Sequence, residues 1–277
     1  MVPRIHLPSL REYIRADVSP AAVGPLPLDE ANAHHLLRVL RRAPGDAIQV
    51  FDGEGQAFGA VLGSGKPATL ILQERLPVEA VPALQLGLAQ CLSAAEKMDW
   101  TIEKAVELGA THIVPLLSAR SVVKLDAARA DKRLQHWQRL VVAAAMQCGR
   151  NRLPHLMPVQ PLRQWLGSLP VPAPDERRWV LDPEAESSLT AQVAATASDG
   201  VSAAGRGPKA GTTQPAPPSP GMAWLLCGPE SGLAPEELAL ARTQGWQPAL
   251  LGPRVLRTET AGLVGLTVLQ TVLGDLG

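Results

Sequence analysis

Cysteine is scarce in this chain, and so are long apolar runs and any imbalance of charge. The three cysteines, Cys91, Cys148 and Cys227, stand far apart with no C-x-x-C pair. That usage offers neither a disulfide framework nor the ligand spacing of a structural zinc site, and a reducing cytoplasm is the compartment it predicts. No segment supplies the ~20 successive apolar residues that span a bilayer. The first thirty residues carry Arg4, Arg11, Glu12, Arg15 and Asp17 and lack the hydrophobic stretch of a signal peptide. Familiar catalytic strings are missing too. There is no G-x-x-x-x-G-K-[ST] phosphate cradle and no H-E-x-x-H, and Gly53, Gly55 and Gly59 have the wrong spacing for a dinucleotide fingerprint. Ser231 in "GPESG" stands one place late for a nucleophile elbow. Nucleotide-triphosphate, serine-hydrolase and metal chemistry therefore have no support, and no metal is expected.

What is present is a chain of 277 residues, 46% hydrophobic and 19% charged, enough for one or two domains with a sizeable core. Twenty-six basic residues balance twenty-six acidic ones, but not evenly along the chain. Residues 120–152 hold eight basic against two acidic residues, a net +6, whereas residues 223–277 hold three against five, a net −2. A neutral protein with a basic middle can still present phosphate contacts locally. A solvated helix face explains the same charge equally well.

Residues 1–75 read as short strands and turns. Ile48, Val50, Phe58, Ala60 and Leu62 alternate around the Asp52-Gly53-Glu54-Gly55 turn, which predicts a small β-barrel. A helix is expected inside 29–45, where Ala33, Leu36, Leu37 and Leu40 recur at helical spacing while Arg38, Arg41 and Arg42 lie largely elsewhere. Pro77 and Pro82 mark a junction, and from residue 76 to 277 strand and helix alternate. Strands are expected at 83–92, 112–118, 177–182, 222–227 and 248–252. Helices are expected after Ser93, with an S-x-x-E capping box to Glu96, inside 127–148, and over 234–244. Such alternation predicts an α/β domain with a mostly parallel sheet. Residues 197–221, rich in Ala, Gly, Pro, Ser and Thr, are expected as a disordered loop.

Two loops stand out, each leaving the carboxyl end of an expected strand: residues 227–232 and residues 251–261. In open α/β sheets ligands sit beyond those strand ends. Gly228, Gly232 and Gly252 permit close backbone approach, Pro229 and Pro253 stiffen the path, and Leu251, Leu256 and Ala261 can form apolar walls. Each loop alone reads equally well as a strand-to-helix turn.

The strings "GPESGLAPEE" and "LLGPRVLRTETAGL", with the apolar helix after them, resemble the SPOUT superfamily, specifically the bacterial 16S ribosomal RNA uracil-N3 methyltransferases. "HHLLRVLRRAPGD" and "VFDGEG" resemble that family's N-terminal PUA-like barrel, and "EKMDWTIEKAVELGATHIVPL" and "QCGRNRLPHL" its central signatures. The likeness spans nearly the whole chain except 183–221. It departs at Ser231, where the family usually carries glycine. The resemblance implies an N-terminal PUA-like β-barrel followed by a SPOUT α/β domain with a deep trefoil knot. It also implies S-adenosylmethionine as cofactor, a homodimer, and 16S ribosomal RNA or the small ribosomal subunit as partner. Cofactor contacts carried over by motif are Gly228, Pro229, Glu230, Gly232, Leu251, Gly252, Leu256, Arg257, Thr258, Thr260 and Ala261. Arg257 is the expected stabiliser of charge on the uracil carbonyls, and Glu259 the expected proton acceptor or orienting group. Arg38, Arg41, Arg42, Arg150 and Arg152 are the expected contacts to the RNA backbone. Two other readings stay open: a SPOUT methyltransferase acting on transfer RNA, and a non-catalytic RNA-binding or ribosome-assembly factor with the same fold.

Overall fold

The computed structural model describes residues 2–15, 19–121, 123, 126–204 and 221–276. The chain divides into two compact units, one comprising residues 1–81 with 142–153, the other residues 82–141 with 154–277.

The first unit is built on β1 (Arg4–His6), α1 (Leu10–Arg15), β2 (Leu26–Pro27), α2 (Glu30–His34), β3 (Ala47–Phe51), β4 (Ala57–Leu62) and β5 (Thr69–Arg75). The strands form one sheet in the order β1-β3-β4-β5-β2. Period-two alternation in β3 and β4 buries Ile48, Val50, Phe58, Ala60 and Leu62 in a core shared with Ile5, Leu10, Leu36 and Leu70. Among the described residues β1 and β2 remain unpaired edges, so the expected barrel is an open, curled sheet.

The expected helix over 29–45 is shorter and less regular. Asp29 caps it by accepting a hydrogen bond from the Asn32 N–H at 2.7 Å. After His34 the chain widens into one π-helical turn, His35–Val39, in which the Leu40 N–H reaches the His35 carbonyl. The wider turn breaks the 3.6-residue spacing. Leu36 is buried, whereas Leu37 and Leu40 are exposed. Arg41 ends the element in the left-handed region, φ 53°.

Residues 142–153 belong to this unit by direct bonding. Arg4 donates to the Gly149 and Arg150 carbonyls and to Asn151, and the Glu79 carboxylate accepts the Asn151 and Arg152 N–H groups.

The second unit contains β6 (Leu84–Cys91), α3 (Ala95–Glu107), β7 (His112–Leu117), α4 (Ala127–Cys148), β8 (His155–Leu156), β9 (Gln160–Pro161), α5 (Leu162–Ser168), β10 (Glu176–Leu181), α6 (Leu189–Ala204), β11 (Gly221–Cys227), α7 (Pro235–Thr243), β12 (Gln247–Ala249) and α8 (Thr258–Leu273). The last turns of α4 are those counted with the first unit. The sheet is parallel throughout, in the order β12-β10-β11-β6-β7-β8, with β9 also pairing with β7. β6 is buried along almost its whole length, as a central parallel strand requires. One face of the sheet packs Ala89, Leu116 and Leu226 against Leu162, Trp165 and Trp246. Over the strands β6 and β11 lies α8, which also packs on α3 and α6. Gly262 and Gly265 allow that approach, because a Cβ at either would strike Gln90 or Leu225.

Two local expectations change. The capping box from Ser93 does not form, because α3 begins one residue later with Ala94 at the cap. Ser93 is buried instead, and its hydroxyl has no hydrogen-bond partner. The segment expected as a loop at 197–221 opens with the last turns of α6 and closes on the first residue of β11; its remainder, 205–220, lies outside the described residues.

Candidate active site

The chain leaves β12 at the sheet edge, yet α8 sits over the central strands β6 and β11. Residues 250–257 must therefore run back across the carboxyl ends of β10 and β11. There they meet the loop that leaves β11. The two segments enclose a cavity of about 810 Å³, within the range of small-molecule sites.

Ten of the residues expected to contact a cofactor line this cavity: Gly228, Pro229, Glu230 and Gly232 from the β11 loop, and Leu251, Gly252, Leu256, Arg257, Thr258 and Ala261 from the segment entering α8. Gly232 and Gly252 adopt φ of 71° and 97°, which a side chain at either position strains. Thr260 and Glu259 stand apart, since neither lines the cavity. Glu259 makes no salt bridge with Arg257. Its carboxylate lies 3.5 Å from Lys97 Nζ, and its second oxygen is buried without a hydrogen-bond partner. Arg257 is exposed and caps α8 through its backbone conformation, φ −63° and ψ 150°.

A buried polar chain fixes where α8 begins. Gln90, near the end of β6 and 1% exposed, donates from Nε2 to Thr258 Oγ1 at 2.9 Å. Thr258 Oγ1 in turn donates to the Gly228 carbonyl at 2.5 Å. The Cys227 thiol donates to the Thr258 carbonyl at 3.5 Å, and burial pushes its pKa up. A buried, protonated thiol is a packing and hydrogen-bonding group and no thiolate nucleophile. Cys91 is likewise raised by burial.

The loop after β7 closes another side. Arg120 lines the cavity, donating to the Ser231 and Leu233 carbonyls at 3.3 Å, and Ser231 Oγ returns a bond to the Arg120 carbonyl at 2.9 Å. The serine is thus used, tying one loop to the other. Beneath them the buried Glu237 carboxylate accepts the N–H groups of Ala119 and Ala234 at 2.7 and 3.0 Å.

Sequence reasoning missed Lys97, Arg120 and Gln90. No local signal marks Arg120 or Gln90. Lys97 carries a weak one, a cation in the first turn of a helix, where the macrodipole disfavours it. Among the described residues no cluster of three or more His, Cys, Asp or Glu is placed to hold a metal ion, and no helix is long and apolar enough to cross a membrane.

Of the arginines expected to meet RNA, Arg38 and Arg41 are exposed. Arg42 is half-buried, and its Nε has no hydrogen-bond partner. Arg152 is occupied structurally: its Nε donates to the Glu79 carbonyl at 2.9 Å, and its guanidinium fills the space over Gly55. Arg150 lies in the same segment of the first unit.

Residues 80–270 match a family model described as the RNA methyltransferase domain, and residues 28–73 one described as the RNA methyltransferase PUA domain. The chain belongs to this RNA methyltransferase family. Its relatives include ribosomal RNA small subunit methyltransferase E of Bacillus subtilis, 31% identical over 240 residues and covering 86% of each chain. A crystal structure of ribosomal RNA small subunit methyltransferase E from Neisseria gonorrhoeae bound to S-adenosyl methionine is 29% identical, superposes with a TM-score of 0.76, and matches over the whole of both chains. A putative methyltransferase from Legionella pneumophila in complex with the same cofactor is 30% identical with a TM-score of 0.77, again over both whole chains. In this RNA methyltransferase the cavity beyond β11 and β12 is the candidate catalytic site.

Proposed function

We propose that the protein is an S-adenosylmethionine-dependent methyltransferase that modifies N3 of a uridine in the 16S ribosomal RNA of the small subunit. The observation that carries this reading is the convergence of residues 228–232 with residues 251–258 and Ala261 on one cavity at the carboxyl ends of a parallel sheet. The residues present fit the cofactor. Two positive-φ glycines keep the loops open to close approach, and Leu251, Leu256 and Ala261 supply apolar wall. When bound, S-adenosylmethionine supplies an electrophilic methyl group.

The chain's own residues have two tasks. Uracil N3 must pass its proton to solvent water, and the resulting charge spreads onto O2 and O4. A fixed cation stabilises that anion more than the neutral base, and Arg257, exposed on the cavity wall, is the assigned group. Glu259 acts as an orienting group, since it pairs with Lys97 and has no place on the wall. N3 lies on the pairing edge, so the target uridine must be unpaired or flipped out. The first unit, with Arg38, Arg41 and Arg42, binds the RNA backbone as a PUA-like module.

The return of the chain from β12 to α8 supports a trefoil knot, in which residues 250–257 thread beneath a preceding loop. α8 and its neighbours form the homodimer interface, and the protein works in the cytoplasm.

The test is calorimetry with S-adenosylmethionine, followed by mass spectrometry of 16S ribosomal RNA from cells with and without the protein. Binding, and loss of one N3-methyluridine on deletion, are the expected results. Deletion cells should regain the modification with the wild-type chain but not with Arg257→Ala. Unchanged ribosomal RNA on deletion, or methylation lost from transfer RNA instead, overturns the assignment of substrate. Absence of cofactor binding favours a non-catalytic RNA-binding role.

A further inference from the structure

Lys97 lies outside every motif that points to the cofactor, yet it stands on the cavity wall. It occupies the third position of α3, where a cation faces the positive end of the helix and is disfavoured. Ala94 provides no side-chain cap to offset that. The compensation comes from elsewhere in the fold. Lys97 Nζ lies 3.5 Å from Glu230 Oε1 and 3.5 Å from Glu259 Oε1.

These two glutamates belong to different elements, and only Glu230 lines the cavity. Glu230 rides on the loop leaving β11, and Glu259 sits in the first turn of α8, where a carboxylate is favoured by the helix end. Each carboxylate is within reach of one ammonium, so without that ammonium the two negative charges face each other across the gap between the loops. The Lys97 side chain is 31% exposed and the Glu259 side chain 13%. The Glu230 side chain, at 38%, is more open to water, so solvent screens this repulsion substantially at Glu230 and less at Glu259.

We propose that Lys97 is a positioning residue that locks the β11 loop and the first turn of α8 in register around the cofactor cavity through Glu230 and Glu259. The proposal rests on the methyltransferase reading, because the elements it joins are the assigned cofactor walls. It does not make Lys97 a contact of the reacting atoms.

The test is calorimetric titration of the ligand-free full-length protein with S-adenosylmethionine, alongside its melting temperature, for the wild type, Lys97→Met, Lys97→Arg and the double variant Glu230→Gln/Glu259→Gln. Lys97→Met should weaken binding about tenfold, with a melting temperature within about 3 °C of wild type, because partly exposed ion pairs contribute little to global stability. Lys97→Arg, which keeps the charge, should return binding to within about threefold. Adding Lys97→Met to the double variant should cost no more than about twofold, since the carboxylates it organises are then neutral. Three results overturn the proposal: wild-type affinity in Lys97→Met, equal impairment in Lys97→Arg, or full additivity in the triple variant. The comparison between the double and triple variants decides the matter even where Lys97→Met alone melts early. A wild-type protein that binds no cofactor instead removes the methyltransferase reading itself.

Discussion

Thr258 is the residue on which the candidate site is pinned. It is 5% exposed, accepts from Gln90, and donates to the Gly228 carbonyl, so one hydroxyl links the end of β6, the β11 loop and the start of α8. Replacement by valine keeps the shape but removes the hydroxyl partner of the buried Gln90 amide and of the half-buried Gly228 carbonyl. Thr258→Val should therefore lower unfolding stability by roughly 1–3 kcal/mol, and Thr258→Ser should retain most of it. Urea unfolding at constant m-value checks this; equal stability of the valine variant sinks the pinning role. The importance of threonine here was legible in the sequence only as membership of a motif. Its partner Gln90 is 168 residues away, and no periodicity links the two.

At the scale of elements, the segment from Glu30 to Arg42 shows how local pattern and tertiary packing part. The apolar spacing called for a regular helix with Leu36, Leu37 and Leu40 on one face. The π-helical turn instead buries Leu36 alone and leaves Leu37, Leu40, Arg38 and Arg41 outward. Exposed Arg38 and Arg41 leave cations free for phosphate contacts, which the helix pattern alone did not require. Replacing Arg41 and Arg42 together by alanine should weaken binding to a 16S RNA fragment and reduce the slope of log K against log salt by about 1 to 2. Filter binding across a salt series is the measurement, and an unchanged slope dismisses the patch. The capping box at Ser93 failed for a related reason. A serine at the right spacing is a cap only if the very next residue opens the helix, and here the helix opens at Ala95, with Ala94 at the cap and Ser93 buried before it.

For the whole molecule, two histidines give stability a pH dependence. Burial lowers the pKa of His6 in the first unit and of His112 in the second, the latter also through His155. A histidine whose folded pKa is depressed binds its proton more readily in the unfolded chain. Stability is therefore fully present above the unfolded value near 6.5 and declines as pH falls from there toward the lowered folded value. Melting temperature should drop on moving from pH 7.5 to 5.5, and the drop should be smaller in His112→Gln. An identical pH profile in that variant removes His112 as a contributor. Its ring lies 5.7 Å from that of Trp224, itself seated in the space left by Gly87, so protonation there is felt at the centre of the sheet.

The sequence by itself determined the parallel α/β character of the larger unit, the two glycine-proline loops and the family. These depend on contiguous residues: strand alternation, turn geometry and motif spacing are properties of short stretches of chain. Tertiary structure alone decided that residues 142–153 join the first unit, that Glu259 answers to Lys97 and leaves the cavity wall, and that Ser231 bonds to Arg120. Each of those is a hydrogen bond or ion pair between positions more than a hundred residues apart, or a segment bonded far from its sequence neighbours. Such pairings become possible only when the topology carries residues 250–257 back across the sheet, and the strength of each depends on how much water the fold excludes around it.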